Sequence, residues 1–312
     1  MTCYPVYIPT LNRYEHFRNC VESLARCTHA DKTELVVSLD YPPREKYVEG
    51  WKKIKAYLPT LQTLGFGKVT VFEQTKNLGP GKNNMLARGY CYKHYKACIA
   101  SEDDNVFAPA FLDYINKALE RYEYDAKIVS VCGYSRRACE CPKLGSTYLT
   151  YDSCAWGMGI WRDKDASVLA ELAKPKSDVV TFLHPLVMIK IACTYPYLIL
   201  MLLRALQTGK KLLGDMLRTT YNFRHGTRQL RPSCSLVRNV GVDGSGLTWG
   251  DDIYQELATQ PISDATTWNL DDAYPKCSKK GLFFQSMKAT GVYHLWCRIK
   301  GFLLRSKTHE NG

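Results

Sequence analysis

The sequence predicts an α/β fold with a mostly parallel sheet flanked by helices. Over residues 1–135, short apolar runs typical of strands alternate with amphipathic stretches typical of helices, which is the pattern of repeated strand–helix units. The chain has 312 residues and 46% hydrophobic content. That is enough for one large domain or two closely joined ones.

Each predicted element follows from a local pattern. The first strand is a run of apolar residues, and the helix after it places Phe17, Val21 and Leu24 on one stripe. The breaker Tyr41-Pro42-Pro43 ends the second strand. The predicted strands cover residues 5–8, 34–39, 68–73, 97–101 and 128–132, and the predicted helices cover residues 14–25, 46–57, 83–95 and 109–121.

Polar residues follow the predicted strands at the point where each strand ends. In parallel sheets, ligands bind at the carboxyl ends of the strands, so these residues are expected to meet at one rim. Pro9 belongs to the first of these turns and Gly79 to a glycine-rich turn after the third strand. The residues expected at the rim are Thr10, Asn12, Arg13, Asp40, Asn77, Lys82, Asp103 and Asp104.

Three consecutive carboxylates, Glu102, Asp103 and Asp104, follow the fourth predicted strand. Buried carboxylates are costly unless positive charge lies among them. A divalent cation, Mn²⁺ or Mg²⁺, that carries a substrate's phosphates meets this need with oxygen ligands. The alternative is a solvated acidic turn that favours the N-terminus of the helix beginning at Pro109. The triplet by itself leaves both open.

The rim as a whole indicates a nucleotide diphosphate. Arg13 and Lys82 can neutralise a diphosphate, Asp40 can accept hydrogen bonds from a base or ribose, and Asp104 can hold the bridging cation. The sequence has neither G-x-G-x-x-G after the first strand nor G-x-x-x-x-G-K-[ST]. A dinucleotide-binding Rossmann domain and a P-loop nucleoside triphosphatase are therefore disfavoured.

Three stretches resemble nucleotide-sugar-dependent glycosyltransferases of the GT-A fold: PVYIPTLNR at 5–13, VVSLD at 36–40 and ASEDDNVFAPAFL at 100–112. The likeness is strongest to the inverting branch that includes N-acetylglucosaminyltransferase I and bacterial capsule or lipopolysaccharide transferases. It continues more loosely through residues 156–159, 214–218 and 231–246.

The resemblance implies a role for several of these residues. It places Arg13 near the diphosphate, Asp40 on the uracil and Asp103 on the ribose. Asp104 would bind the metal and Asp215 would be the general base. The loop of Trp156 and Gly157, with Glu102, would contact the donor sugar and acceptor. Family members often carry a histidine after the stretch that begins at Asn239, whereas this chain has Thr248-Trp249. This departure removes the histidine that the resemblance would otherwise suggest as a second protein ligand to the metal.

Asp215 has a second interpretation as a helix N-cap, since it precedes an apolar pair. Asp251 and Asp252, which follow Trp249-Gly250, are the other candidates for the catalytic base. General-base catalysis needs a carboxylate within reach of the acceptor hydroxyl.

The second half of the chain is basic and apolar. Residues 186–203 are strongly apolar but are interrupted by Lys190 and Pro196, which predicts a core helix or a surface at the bilayer edge, not a transmembrane helix. Residues 292–307 combine an apolar stripe with basic residues, so they can lie on an anionic membrane or pack as an ordinary terminal helix. The net charge of +12 fits a membrane face or phosphorylated substrates. A nucleic-acid partner is not expected, because no recognisable module is present.

The sequence shows no signal peptide, so its thirteen cysteines are interpreted as reduced thiols. The expected location is cytoplasmic, or peripheral on the cytoplasmic face of the membrane. We expect a nucleotide-sugar-binding subdomain over 1–135, an acceptor-binding and catalytic subdomain over 136–260, and a C-terminal extension over 261–312.

The expected activity is inverting hexosyl transfer from a UDP-sugar, with other nucleotide sugars as options. The expected acceptor is a saccharide, lipid-linked in cell-surface polysaccharide synthesis. Two alternatives stay open: a nucleotidyltransferase that makes a nucleotide sugar, and a non-catalytic protein that docks on membranes. Release of pyrophosphate would identify the first alternative. Function that survives alanine at Asp104 and Asp215 would identify the second.

Overall fold

The structure is a computed structural model and describes residues 1–135, 146–174, 181, 183–209, 212, 214–245, 258–280, 283 and 286–287. The strands are β1 (Val6–Thr10), β2 (Glu34–Leu39), β3 (Lys68–Glu73), β4 (Ala97–Ala100), β5 (Asn105–Phe107), β6 (Ile128–Cys132), β7 (Thr147–Thr150), β8 (Met158–Trp161), β9 (Arg228–Pro232) and β10 (Val237–Asn239). The α-helices are α1 (Tyr14–Ala25), α2 (Val48–Tyr57), α3 (Gly79–His94), α4 (Phe111–Arg121), α5 (Arg162–Leu172), α6 (Pro185–Thr194), α7 (Pro196–Thr208) and α8 (Gly214–His225).

An eight-stranded sheet runs through the described part of the chain in the order β3-β2-β1-β4-β8-β6-β9-β7. The pairs β1–β2, β2–β3, β1–β4 and β6–β9 are parallel. Strand β8 runs antiparallel between β4 and β6, and β7 is antiparallel to β9. The predicted α/β class with a mostly parallel sheet is therefore confirmed.

Both faces of the sheet are covered by helices. Successive side chains of a strand point to opposite faces, so a single strand contributes to both cores. On β1, Val6 and Ile8 join the larger core with α1 and α4, whereas Tyr7 joins a smaller core beneath α3. This arrangement confirms the predicted flanking helices. It leaves the carboxyl ends of β1, β2 and β4 at one rim, as the parallel pairing requires.

Several predicted boundaries are confirmed to the residue, among them the first helix and the second, third and last of the predicted strands. The helix predicted from residue 83 begins at Gly79 instead, because Asp40 accepts the N–H groups of Leu78 and Gly79 and so caps an earlier start. Strand β5 is not among the predicted elements; it pairs antiparallel with β10 in a separate two-stranded ribbon.

The apolar stretch at 186–203 forms two helices, because Pro196 begins α7 directly after Tyr195. Their inner side chains form a third core with Tyr151 and Phe223. Among the described residues, no helix combines the length and apolarity needed to cross a membrane.

The sheet is continuous across residue 135, since β8 and β9 of the second half flank β6 of the first. The proposed subdomain boundaries stay predictions. Residues 292–307 and the candidates Asp251 and Asp252 lie outside the described residues. The ten cysteines in the described part of the chain are free thiols.

Candidate active site

The centre of the site is a cluster of Arg13 with Asp103 and Asp104. Thr10, at the end of β1, donates to Asp103 Oδ2 over 2.8 Å. One guanidinium nitrogen of Arg13 bonds Asp103 Oδ1, and the other lies 2.7 Å from Asp104 Oδ2. Burial lowers the pKa of Arg13, but the charges and hydrogen bonds of the two carboxylates raise it by more. The net shift is upward, so Arg13 stays positively charged. The structure thus brings Thr10, Arg13, Asp103 and Asp104 together at one rim.

The β5–β10 ribbon encloses Asp104 from the other side. Asn239, the last residue of β10, donates to Asp104 Oδ1 over 2.5 Å. The backbone N–H of Gly241 donates to Asn239 Oδ1 over 3.0 Å. A Cβ on Gly241 would lie 2.0 Å from Asp104 Oδ2, so the backbone can approach this carboxylate only because residue 241 is glycine.

Glu102 lies beside this cluster and reaches the surface. The side chain of Glu102 is partly in contact with solvent, but many protein atoms lie around its carboxylate. Desolvation by these atoms is the largest cause of the shift in its pKa. Together with the charges of Asp104, Asp215 and Asp103, this desolvation raises the pKa of Glu102 to about 8, although Arg13 opposes the shift. Asp104, Asp215 and Glu102 therefore share one electrostatic environment.

Asp215 lies in the first turn of α8 and faces the loop before β8. Its carboxylate accepts a hydrogen bond of 3.2 Å from the backbone N–H of Ala155, so it binds this loop. Desolvation raises the pKa of Asp215, against the Ala155 hydrogen bond and the charges of Arg218 and Arg231. A carboxylate with this shift is closer to the range useful for a general base.

The loop next to Asp215 carries Trp156 and Gly157. The indole of Trp156 packs edge-on against Tyr134, with ring centroids 4.7 Å apart. Gly157 has a φ of +63°, and a Cβ there would meet Phe111 at 2.7 Å, so the turn depends on glycine. The structure thus brings the predicted Trp156 loop to the candidate base.

Buried ion pairs hold these elements in place. Arg231 of β9 is 1% exposed and bonds Asp152 in the same loop over 3.1 Å. Arg218 of α8 bonds Asp165 of α5, which also lies 3.2 Å from Arg88 of α3. Such pairs fix geometry because breaking one leaves a buried charge without its partner.

Asp40 belongs to the same rim but is engaged within the protein. Its carboxylate accepts from the backbone of Tyr41, Leu78 and Gly79 and from Asn77 Nδ2, at 2.8–3.2 Å. A carboxylate offers about four lone-pair sites, so these donors fill it. The backbone N–H of Asp40 donates to Thr10 O over 2.9 Å, which joins this group to the acidic cluster. The assignment of Asp40 to the uracil stays a prediction.

Three other predicted residues line the rim more loosely. Lys82 lies in the first turn of α3 and is exposed. Pro9 is part of β1, opposite Ser38 of β2. The carbonyl of Asn12 lies against Gly50 of α2, where a Cβ would come within 1.9 Å of it.

The oxygen chemistry of the cluster fits a hard cation held by one or two carboxylates together with phosphate oxygens. Each oxygen of Asp104 has one donor, from Arg13 or Asn239, and retains a lone pair. Glu102 adds an exposed carboxylate, and desolvation together with the neighbouring carboxylates raises its pKa. Protein ligands alone do not form a metal site in the described ranges, where no group of three or more His, Cys, Asp or Glu side chains could hold a metal ion.

Sequence reasoning missed four residues of the site: Asn239, Gly241, Asp152 and Arg231. Asn239 contacts Asp104 across 135 positions of the chain, and Arg231 contacts Asp152 across 79. No local pattern encodes such contacts. The strand that carries Arg231 has the sequence RQLRP, so no apolar run indicated that this arginine is buried.

No family model matches the chain, and no curated protein matches it. Solved structures with a similar fold include S. aureus TarS 1–349 in complex with UDP-GlcNAc, with TM-score 0.43 and 14% identity over 82% of this chain and 64% of that one. A second crystal structure of S. aureus TarS 1–349 has TM-score 0.37 and 16% identity over 54% of this chain and 50% of that one. The mannosyltransferase PcManGT from Pyrobaculum calidifontis, in complex with GDP-Man and Mn²⁺, has TM-score 0.37 and 17% identity over 56% and 48%. The chain thus spans about half to two thirds of the length of these structures.

Proposed function

We propose that this chain is an inverting glycosyltransferase that moves a sugar from a UDP-sugar to a saccharide acceptor. The observation that carries the proposal is the shared environment of Arg13, the acidic triplet and Asp215 at the carboxyl ends of β1 and β4. A fixed cation, a set of carboxylates and a desolvated acid in one place provide the groups that this reaction needs.

The transfer displaces a nucleoside diphosphate from the sugar C1 through an oxocarbenium-like state, in which negative charge grows on the departing phosphate. Arg13 stabilises that charge. Asp103 and Asp104 engage two of the five donors that a guanidinium offers, and no other acceptor among the described residues binds the rest, which would bind phosphate oxygens. Because two carboxylates hold the guanidinium in place, it needs little reorganisation when the charge develops.

Asp215 accepts the proton of the acceptor hydroxyl. The Ala155 N–H holds one carboxylate oxygen, and no donor from the described part of the chain binds the other, which would receive the proton. Inversion requires the acceptor to attack from the side opposite the leaving group. We assign Trp156 to the surface on which donor sugar and acceptor pack, because its loop contacts both Asp215 and the Tyr134 ring. Gly157 and Glu102 complete that surface.

A divalent cation, Mn²⁺ or Mg²⁺, would be held by Asp104 with Glu102 beside it. When bound, it supplies positive charge to the diphosphate. Thr10, Asn12, Pro9 and Asp103 would contact the nucleoside part, and Asn77, Gly79, Lys82 and Asp40 would line the neighbouring end of the rim. The acceptor class we propose is a lipid-linked saccharide of cell-surface polysaccharide synthesis, used at the cytoplasmic face of the membrane. Residues 292–307 would provide a basic contact to that membrane.

The test is a panel of UDP-, GDP- and dTDP-sugars, each with and without Mn²⁺, measured by thermal shift and by product analysis. We expect a UDP-sugar with Mn²⁺ to raise the melting temperature and to yield UDP. Asp104→Ala should remove both effects, whereas alanine at the exposed Asp31 should leave them unchanged. Release of pyrophosphate would identify a nucleotidyltransferase, and no stabilisation by any donor would refute the proposal.

A further inference from the structure

The outer face of α6 and α7 is an exposed apolar surface, defined by Leu183, Leu186, Ile189, Leu200, Leu203 and Leu206. These side chains are 75%, 82%, 60%, 46%, 47% and 58% exposed, in that order. Leu186 and Ile189 lie on one stripe of α6, and Leu200, Leu203 and Leu206 recur at three-residue spacing along α7. Contiguous apolar patches of this kind mark interaction surfaces.

The opposite sides of the same helices already have a partner. Ile191, Leu198 and Leu202 are buried against Tyr151 and against Phe223 of α8. Both helices are thus apolar on two sides, which is typical of helices enclosed by other apolar material. In the described chain, only the inner side is covered.

The charged side chains of this pair of helices are all positive. Residues 183–209 contain no Asp or Glu, but they include Lys190 and Arg204, and Lys210 and Lys211 follow directly. Arg204 is exposed beside the apolar face. Lys190 lies on the inner side, with its ammonium 4.2 Å from the centre of the Tyr151 ring. An apolar face that has Arg204 beside it and no acid in its own helices is complementary to anionic phospholipid, where each nearby Lys or Arg contributes about 1 kcal/mol.

We infer that the outer face of α6 and α7 docks on an anionic phospholipid bilayer and lies in the plane of its interface. The helices have 10 and 13 residues, so they are about 15 and 20 Å long. Both are shorter than the roughly 30 Å needed to span the hydrocarbon core. Insertion of leucine side chains into the boundary between headgroups and acyl chains fits helices of this length.

The position of the pair gives this docking a consequence for the proposed activity, and this step rests on the proposed function. Met216, directly after Asp215, packs against the same core as the inner side of α6 and α7. The bilayer would therefore lie one layer of helices, about 10 Å, from the turn that carries the candidate base. A lipid-linked acceptor could then present its saccharide to Asp215 without leaving the membrane.

Two other occupants of this face are possible in principle: the chain's own residues 288–312, and a second copy of the chain. The described chain comes close to α7 near its end, since Tyr197 N donates to Ser286 Oγ over 2.6 Å. The sequence after this point carries its own cations, including Arg298 and Lys300. Cations that meet a face with Arg204 beside it and no acid in its helices are less favourable than cations that meet anionic lipid.

The test is flotation of the full chain with vesicles of phosphatidylcholine, either alone or mixed with phosphatidylglycerol. We expect binding to the mixed vesicles that weakens in high salt. Glutamine at Leu186, Ile189, Leu203 and Leu206 together should reduce this binding by about tenfold or more. Met85→Gln is the matched control, since Met85 is 63% exposed on α3. Circular dichroism confirms that each variant is folded.

Three outcomes would overturn the inference. The first is no flotation of the wild-type chain, or equal flotation of the fourfold variant. The second is a chain shortened to residue 287 that binds vesicles more tightly, because the removed segment would then have covered the face. The third is a dimer, detected by light scattering, that the fourfold variant dissociates. Flotation needs no nucleotide, so a chain that floats but transfers no sugar would refute the proposed function alone.

Discussion

The proposed role of Asp215 as the base would account for an energetic cost that this residue carries. Desolvation raises its pKa in the folded chain, which means that its charged form is less stable there than in the unfolded chain. For an acid shifted in this direction, the stabilising contribution is present below the unfolded pKa and is lost as the pH rises through the folded pKa. At neutral pH the ionised Asp215 therefore lowers the stability of the fold.

Asp215→Asn should abolish activity while preserving or raising the melting temperature at neutral pH. The amide keeps the shape and can still accept from Ala155 N–H, but it cannot take a proton. We expect kcat to fall about 10²–10⁴-fold, the range of general-base catalysis. UDP-sugar binding should be retained, and the wild-type pH–rate profile should have its acidic limb above the pKa of an ordinary aspartate.

The matched control is Asp163→Asn, which changes an exposed acid in the first turn of α5. It should leave activity unchanged. If Asp215→Asn instead lowered the melting temperature and kept its activity, Asp215 would be a structural residue, and the base would have to be sought elsewhere.

At the scale of single residues, the sequence was sufficient for side chains that follow strands and insufficient for those that arrive from distant parts of the chain. Thr10, Arg13, Asp103 and Asp104 come together because parallel strands end at a common rim, which is a rule that a sequence can supply. Asn239 belongs to a ribbon that forms only when β10 finds β5. Its contact depends on tertiary pairing, for which the sequence carries no periodic signal.

Among the helices, α2 positions the site by its closeness to the turn after β1. Gly50 of α2 lies so near Asn12 that a Cβ would come within 1.9 Å of the Asn12 carbonyl. The next residue of that turn is Arg13, which binds both aspartates. We therefore expect the packing of α2 to help position the guanidinium.

Alanine substitutions at two helix glycines, Gly89 and Gly50, distinguish the close packing of α2 on Asn12 from a general change in helix propensity. Gly89→Ala on α3 meets no atom within 4 Å and should stabilise the chain by about 0.5–1 kcal/mol. Gly50→Ala has the same propensity gain, but it must displace the Asn12 carbonyl, so we expect a net loss of about 1–3 kcal/mol. Donor affinity should fall for Gly50→Ala alone. Denaturant melts and UDP titrations measure the two quantities, and equal behaviour of both variants would show that α2 does not position Arg13.

The boundaries of the elements show which local rules dominate. The first helix and three of the predicted strands have the predicted bounds because amphipathic periodicity and breakers lie within their own sequence. Helix α3 begins four residues early because Asp40, from another strand, supplies the cap. Pro196 was recognised as an interruption, and it is the residue that divides α6 from α7.

Across the whole molecule, the sheet joins the two halves of the chain more closely than a boundary at residue 135 implies. Strand β6 has two neighbours, β8 and β9, and both come from beyond that residue. Ile115 and Leu119 of α4 also pack against Gly159 of β8. The first half cannot complete its own sheet or cover its own apolar side chains.

We therefore expect a fragment of residues 1–135 not to fold alone, although it contains Arg13 and the acidic triplet. Without β8 and β9, strand β6 loses every hydrogen-bonded neighbour in the described sheet, and the apolar face of α4 is exposed to water. The fragment should show no cooperative thermal transition and no stabilisation by UDP, whereas the full chain should melt in one transition that UDP raises. Calorimetry of the two proteins at equal concentration measures this difference. A sharp, UDP-sensitive transition in the fragment would show instead that nucleotide binding resides in an autonomous first subdomain, and that the second half is added to a finished fold.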